Sequence, residues 1–314
     1  MLSSNAPPGP DAKVHARAFF ALNGAVLFWG LSFVATKMAL ETVPTFTLVF
    51  MRFAMAAVIF LGFCLYRGFP RISPRDHAKL FLLALFEPGL YFVFETTGLA
   101  LTTAPKASLI IATIPLVVMV LAYLFLKERT PRAALFGVFV SVAGIGVLIA
   151  GDPRLSLGME GRLLGDVLIF GAVLSASLYI VAARDVGQRH SAFAITSMQA
   201  FYGTLFFFPL FLWELPETSF GQFSTRSLLA VAYLTLFATV FAFLCYNYAL
   251  TRVTASQASA FVNGIPVVTA VAAWALLGER LTMVQALGGA MVLFGVYLAN
   301  LAAGKRAGEA MAAS

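Results

Sequence analysis

Charge is scarce in this 314-residue chain: Asp, Glu, Lys and Arg together make up 11% of it, against roughly 25% in a soluble globular domain. Hydrophobic residues reach 61%, where a soluble chain runs at about 45–50%, so a packed soluble core is excluded. Cysteine is almost missing. Cys64 and Cys245 lie in separate apolar runs with no Cys or His beside them, which excludes a disulfide framework and a zinc site. Histidine is nearly as rare, and His15, His77 and His190 fall in three different polar segments. HExxH and GxSxG are both absent, so no metal-dependent or serine-nucleophile enzyme is indicated. The pairs Gly151-Asp152 and Gly165-Asp166 stand at the edges of apolar runs rather than deep within them, unlike an intramembrane protease pair. No catalytic residue, metal or cofactor is expected.

The solvent for most of the chain is instead hydrocarbon. Mean hydropathy is +0.90, there are thirty-one Phe, and apolar runs of about 20 residues recur along the sequence. Ten such runs lie near 18–40, 45–66, 80–101, 104–126, 131–150, 164–184, 192–213, 228–250, 254–277 and 283–303. The longest connections, Gly151 to Leu163 and Glu214 to Ser227, leave no room for a soluble domain. The first run follows a polar arm with Lys13 and Arg17, but it is longer than a signal-peptide core and has a counterpart later in the chain, so it reads as a mature helix. The fold expected is all-α and integral to the membrane, with ten transmembrane helices and the lipid bilayer as its main partner.

A net charge of +7 raises the question of nucleic acid, yet the basic residues form neither a dense run nor an aromatic-interleaved face. They sort by side of the membrane instead. With the N-terminus in the cytoplasm, Lys13, Arg17, Arg67, Arg71, Arg75, Lys79, Lys127, Arg129, Arg132, Arg184, Arg189, Arg252, Lys305 and Arg306 fall inside, and only Lys106, Arg154, Arg162, Arg226 and Arg280 outside. The positive-inside rule then places both termini in the cytoplasm, at the inner membrane of a cell.

The chain also repeats itself. At an offset of 151, ATIPLVVMVLAYLFLKER (112–129) lies over NGIPVVTAVAAWALLGER (263–280), pairing Pro115 with Pro266, Glu128 with Glu279 and Arg129 with Arg280. Downstream, Gly137 and Gly144 match Gly288 and Gly295; at an offset of 147, GAVL at 24–27 recurs at 171–174. Two halves of five spans result, 18–150 and 164–303, with an arm over 1–17, a connection over 151–163 and a tail over 304–314. Because five is odd, the second half enters the membrane from the opposite side, and inverted repeats are the build of alternating-access transporters. A passive channel is the alternative class; it usually needs symmetry about a pore.

FWGLSFVATK (28–37), MRFAMAA (51–57) and the paired helix ends FLKERTPRAALFGVFVSVAGIGVLI (125–149) and LLGERLTMVQALGGAMVLFGVYLA (276–299) resemble the EamA family of the drug/metabolite transporter superfamily. The resemblance spans nearly the whole chain and implies an exporter-like fold of ten helices around a central cavity. The aromatic-rich spans and scarce buried charge are similar to YddG-like amino-acid exporters. Lys127 departs from the pattern, standing where the second half has Gly278.

An ionisable group in hydrocarbon costs at least about 2.5–3.5 kcal/mol, so the few inside the spans are the candidate substrate-binding or coupling groups. These are Lys37 in the first span, Arg52 in the second, and Glu87 and Glu95 in the third. On a continuous helix the two Glu lie about 80° apart, on one broad face. Arg52 and Glu95 fall at similar depth and are candidates to pair, whereas Glu87 has no cation at its level and is the candidate for a proton or an ammonium. Their counterparts in the repeat, Gln199, Ala238 and Tyr246, are neutral, so the architecture itself does not require these charges. Asn247, Asn263 and Tyr246 offer neutral hydrogen bonds, and Trp29, Tyr91 and Tyr179 an apolar wall with a polar tip. Pro115 and Pro266 are expected to kink their helices, while Glu128, Arg129, Glu279 and Arg280, being symmetric, read as structural helix ends.

Multiply charged anions would need more than Lys37, Arg52 and Lys106. The substrate expected is a small zwitterion or moderately apolar metabolite, with amino acids satisfying both and a lipophilic cation as the alternative. Protons are the candidate coupling ion, and nothing in the pattern requires more than a monomer.

Overall fold

The computed structural model describes residues 10–126, 132–151, 161–182, 189–252, 258 and 261–312, with side chains described throughout these except in 10–16, 122–126, 132–135 and 299–312. Among the described residues the chain is helical, with no strand. We label the helical segments α1 (Pro10–Ala39), α2 (Thr45–Arg67), α3 (Pro74–Leu101), α4 (Ala104–Ile111 continued by Ile114–Leu126), α5 (Arg132–Ala150), α6 (Arg162–Ala182), α7 (Ala192–Glu214), α8 (Thr225–Leu250), α9 (Val262–Leu277) and α10 (Met283–Ala312). Seven of these are long and apolar enough to cross a membrane, and three shorter apolar stretches, Phe136–Ala150, Val262–Leu277 and Met283–Leu298, occupy α5, α9 and α10.

Local sequence explains where several helices start and stop. Ser73, Ser191 and Ser224 cap α3, α7 and α8, each hydroxyl accepting a backbone N–H three residues on, as an N-cap serine does. Gly278 ends α9 in the left-handed region, at φ 66°, where only a residue without Cβ sits free of strain. Its counterpart Lys127 lies outside the described residues, as do Glu128 and Arg129.

The two halves pack by exchanging equivalent contacts. α1 lies against α8 and α9 while α6 lies against α3 and α4; α2 meets α7, and α5 meets α10. The α5–α10 seam shows why glycine recurs there. A Cβ on Gly144 would stand 2.8 Å from the Gly288 carbonyl, and one on Gly295 would stand 2.5 Å from the Gly137 carbonyl. The seam is therefore backbone against backbone, the close approach that small residues permit where lipid removes most of the hydrophobic drive between helices. Since 144 meets 288 and 137 meets 295, the two helices run antiparallel. Gly288 and Gly295 are the repeat equivalents of Gly137 and Gly144, so the contact maps onto itself when the halves are exchanged.

Large side chains fill the space further in. Leu99, Ile110, Ile111, Ile169 and Val173 form a buried core between α3, α4 and α6, and Phe53, Phe92 and Phe207 a second between α2, α3 and α7. Large apolar groups such as Phe20, Leu65, Trp213 and Met283 face outward, as a chain solvated by lipid tails requires.

Two helices depart from regular geometry, at corresponding places. α3 widens to five-residue turns over Leu85–Leu90 and α8 over Leu234–Phe241. In α3 the chain leaves the helix altogether at Glu87, with φ −140° and ψ 109°, and the Glu87–Pro88 bond is cis. The continuous third helix expected from the sequence is corrected here: Pro88 has no N–H to give to the preceding turn, and the helix is resumed only from Tyr91. Pro115 and Pro266 stand at the second position of Ile114–Leu126 and Ile265–Leu277, where a missing N–H costs nothing. The interruption precedes each of them, as a turn at Ala112–Thr113 and a tighter turn at Val262–Gly264.

Candidate functional site

The break in α3 opens onto a pocket between the halves. It is lined by Trp29, Ser32 and Phe33 from α1, Arg52 from α2, Glu87, Tyr91, Phe92 and Glu95 from α3, Ile111 and Ile114 from α4, Ala176 and Ile180 from α6, Phe243 and Tyr246 from α8, and Val262 and Ile265 from α9. Its empty volume, opening included, is about 570 Å³. Of the candidate residues, Trp29, Arg52, Glu87, Tyr91, Glu95 and Tyr246 are brought together here. Lys37, Tyr179, Asn247 and Asn263 do not line it.

Each charged group is held differently. Arg52 is buried and donates its Nε–H to the Thr239 hydroxyl on α8. Its guanidinium lies 4.4 Å from the centroid of the Phe92 ring, a distance at which the ring face attracts a cation. Glu95, also buried, accepts the Thr96 hydroxyl at 2.9 Å. Arg52 and Glu95 both line the pocket, but among the described residues they form no direct ion pair. The Glu87 carboxylate has neither a hydrogen-bond nor an ion-pair partner among the described residues. Because α3 is broken at this residue, the helical projection that set Glu87 and Glu95 on one face does not apply; they share the pocket because the chain turns there.

The apolar wall is aromatic. The Trp29 ring meets Phe243 edge-on at 5.3 Å and lies 5.1 Å from Tyr246. Its indole N–H is already spent on the Ala238 carbonyl at 3.1 Å, so Trp29 offers the pocket a surface rather than a donor. The Tyr246 hydroxyl is buried with no partner among the described residues, which leaves it for whatever enters. The Asn263 side-chain oxygen is likewise buried and unpartnered.

The remaining candidates serve other places. Asn247 donates to Thr196 and to Gln199, each at 2.9 Å, and accepts the Tyr179 hydroxyl at 3.4 Å, a polar cluster behind the pocket. Lys37 lines a separate cavity of about 890 Å³, opening included, with Glu41 and Glu279. There its ammonium donates to the Thr102 carbonyl at 2.6 Å and stands 3.9 Å from Glu279. Glu279 in turn accepts the Ala104 N–H at 2.9 Å, satisfying one of the free donors at the start of α4. Arg280 is exposed.

Sequence reading missed two features. Lys106, counted with the outer topology charges, is fully buried and pairs with Asp166 at 2.6 Å, while Asp166 also accepts the Thr102 hydroxyl at 2.9 Å. A Lys and an Asp at the two edges of different apolar runs, each without a neighbour in sequence, carried the only signal. The second is the widened turn of α3, for which the Glu-Pro-Gly string at 87–89 was available and not used.

Two repeated helical halves enclosing a small charged pocket in a largely apolar bundle define a polytopic membrane protein of two-repeat build. The EamA-like transporter family model matches residues 16–150 and again 163–301, and the chain belongs to that family, one of transporters and not of enzymes. An uncharacterized transporter of Archaeoglobus fulgidus is 30% identical over 289 residues, covering 91% of this chain and 98% of the relative. The transporter YetK of Bacillus subtilis is 27% identical, covering 92% and 88%. A probable terminal-alkyne amino-acid exporter of Streptantibioticus cattleyicolor is also 27% identical, covering 91% and 94%. A solved crystal structure shares the fold at a TM-score of 0.66 and 20% identity, covering 90% of this chain and 98% of the other.

Proposed function

We propose that this protein is a secondary-active transporter that exports small amino-acid-like zwitterions by alternating access, its ten segments crossing the membrane as inverted halves with both termini cytoplasmic. The carrying observation is the pocket between the halves. It combines one cation, Arg52, with two carboxylates, Glu87 and Glu95, against a wall of Trp29, Tyr91, Phe243 and Tyr246. A zwitterion needs both signs of charge within reach and an apolar body needs the wall. Glu87, without a partner among the described residues, is the group to take the ammonium or a coupling proton. The amino-acid exporter among the relatives supports this reading, as does the scarcity of cations for a multiply charged anion. The two carboxylates beside aromatic rings also favour a second reading, a lipophilic cation as cargo.

Counterflow in proteoliposomes separates these readings. Purified protein loaded with unlabelled amino acids is expected to accumulate labelled amino acid saturably, at two pH values, and quaternary ammonium dyes are expected not to compete. Accumulation of dye alone would replace the first reading with the second. Flux without counterflow would point to a channel.

A further inference from the structure

The widened turn that carries Glu87 is held from the other half of the molecule. Ser175 on α6 donates its hydroxyl to the Phe86 carbonyl at 2.8 Å, a carbonyl that also accepts the Tyr91 N–H. Gln199 on α7 donates to the Glu87 carbonyl itself in a longer bond of 3.4 Å, and its own oxygen is fixed by Asn247 at 2.9 Å. Pro88 cannot supply an N–H, and the non-helical Glu87 takes its carbonyl out of the regular ladder. In hydrocarbon, backbone polar groups loosened in this way must be satisfied by neighbouring side chains.

A related brace exists in reverse. Trp29 on α1 donates to the Ala238 carbonyl and Arg52 on α2 to the Thr239 hydroxyl, both in the widened turn of α8. Arg52 and Gln199 are repeat equivalents, Ser175 is adjacent to the equivalent of Trp29, and Ala238 is the equivalent of Glu87. Each half thus grips the irregular turn of the other with one residue from its first helix and one from its second.

We propose that Ser175 and Gln199 are positioning residues for Glu87: by holding the Phe86 and Glu87 carbonyls from the second half, they aim the Glu87 carboxylate into the pocket and tie its position to how the two halves sit. The orientation of the only unpartnered carboxylate in the pocket then depends on α6 and α7, which belong to the repeat that must move relative to α3 in any rocking of the halves. Ser175, with the shorter bond, is the stronger of the two holds. The inference rests on the reading of the pocket as the transport site, and it gives that site a built-in link to conformation.

The test needs no substrate. Dicyclohexylcarbodiimide reacts with protonated carboxyls in apolar sites, and peptide mapping by mass spectrometry follows Glu87 and Glu95 separately in the purified protein at mildly acidic pH. In Ser175→Ala the rate of Glu87 modification is expected to fall by about threefold or more, the range that one lost hydrogen bond produces, while Glu95 modification changes less than about twofold. Ser175→Thr, which keeps the hydroxyl, is expected to restore the rate. Gln199→Met supplies the same readout through an independent helix, with a smaller fall, should Ser175→Ala not fold. An equal fall at both carboxyls, no fall in either variant, or an unreactive Glu87 in the wild type would each overturn the proposal. Protection of Glu87 by amino acids is read in parallel. Its absence counts against the amino-acid cargo and leaves the positioning role standing, whereas protection with unaltered rates in the variants does the reverse.

Discussion

The widened turns of α3 and α8 occupy corresponding places in the two halves and are each gripped from the first two helices of the other half, yet they differ in chemistry. In α8 the turn at Leu234–Phe241 stays helical, carries no ionisable group, and satisfies itself in part by the Thr239 hydroxyl reaching back to the Leu234 carbonyl at 2.9 Å. In α3 the chain leaves the helix at Glu87, has a proline next to it, and exposes an unpartnered carboxylate to the pocket. A fold that accepts Ala238 at one site does not need Glu87 at the other. The duplicated scaffold supplies the geometry twice, and an acid costly to place within a span has been put in only one copy.

Breaking the cation side of this asymmetry carries the largest expected effect. Arg52 corresponds to Gln199, so an amide is acceptable to the scaffold at that place, but Arg52→Gln leaves Glu95 buried without a compensating charge. The substitution also removes the bond to Thr239 and the contact with the Phe92 ring; breaking a directly paired buried salt bridge costs about 3–5 kcal/mol, which is the upper bound here because the two groups are not in contact. Arg52→Gln is expected to lower the unfolding temperature in detergent strongly, and the double variant with Glu95→Gln to recover most of the loss. A double variant no more stable than Arg52→Gln alone would show that the two charges do not depend on one another.

Next in size is the acid itself. Glu87→Gln removes the charge while keeping shape and should leave the fold intact, because the other half lives with Ala238. Counterflow of labelled amino acid is expected to drop by about tenfold or more, equivalent to some 1.4 kcal/mol, and to lose its dependence on pH. Unchanged rate and unchanged pH profile would remove Glu87 from the transport step.

How much of this was legible follows from what repeats. That the chain is an apolar helical bundle built twice was readable because apolar length is a local signal and the 151-residue offset doubles it; the matched glycines were visible too, but not that they bring α5 against α10. Three of the four intramembrane charges singled out from the sequence, Arg52, Glu87 and Glu95, share the candidate pocket and Lys37 does not; they were legible because an ionisable group in hydrocarbon has to be explained by function or pairing. What escaped depends on partners distant in sequence. Nothing near Lys106 reveals Asp166, which lies on another helix, and a burial of 0% cannot be read from a lysine at the edge of an apolar run. Ser175 and Gln199 look like ordinary helix residues until the turn they hold is seen, and the one local mark of that turn, the Glu-Pro-Gly string at 87–89, is lost in an averaged apolar run.

The smallest expected effect tests whether the two braces, each reaching from the other half, are alike in consequence. Trp29→Phe keeps a ring against Phe243 and Tyr246 but removes the indole N–H from the Ala238 carbonyl. One neutral hydrogen bond is worth about 0.5–1.5 kcal/mol net, and the Ala238 carbonyl sits in a helix that remains continuous, so the low end of that range is expected. Ser175→Ala deletes the first-helix bond of the other brace, to the Phe86 carbonyl, where the turn is already broken and Pro88 supplies no donor, so its stability cost should exceed that of Trp29→Phe. Thermal unfolding of the two variants under identical detergent conditions makes the comparison. Equal losses would mean that the break at Glu87 adds nothing to the demand on its brace, and the asymmetry between α3 and α8 would then lie in charge alone.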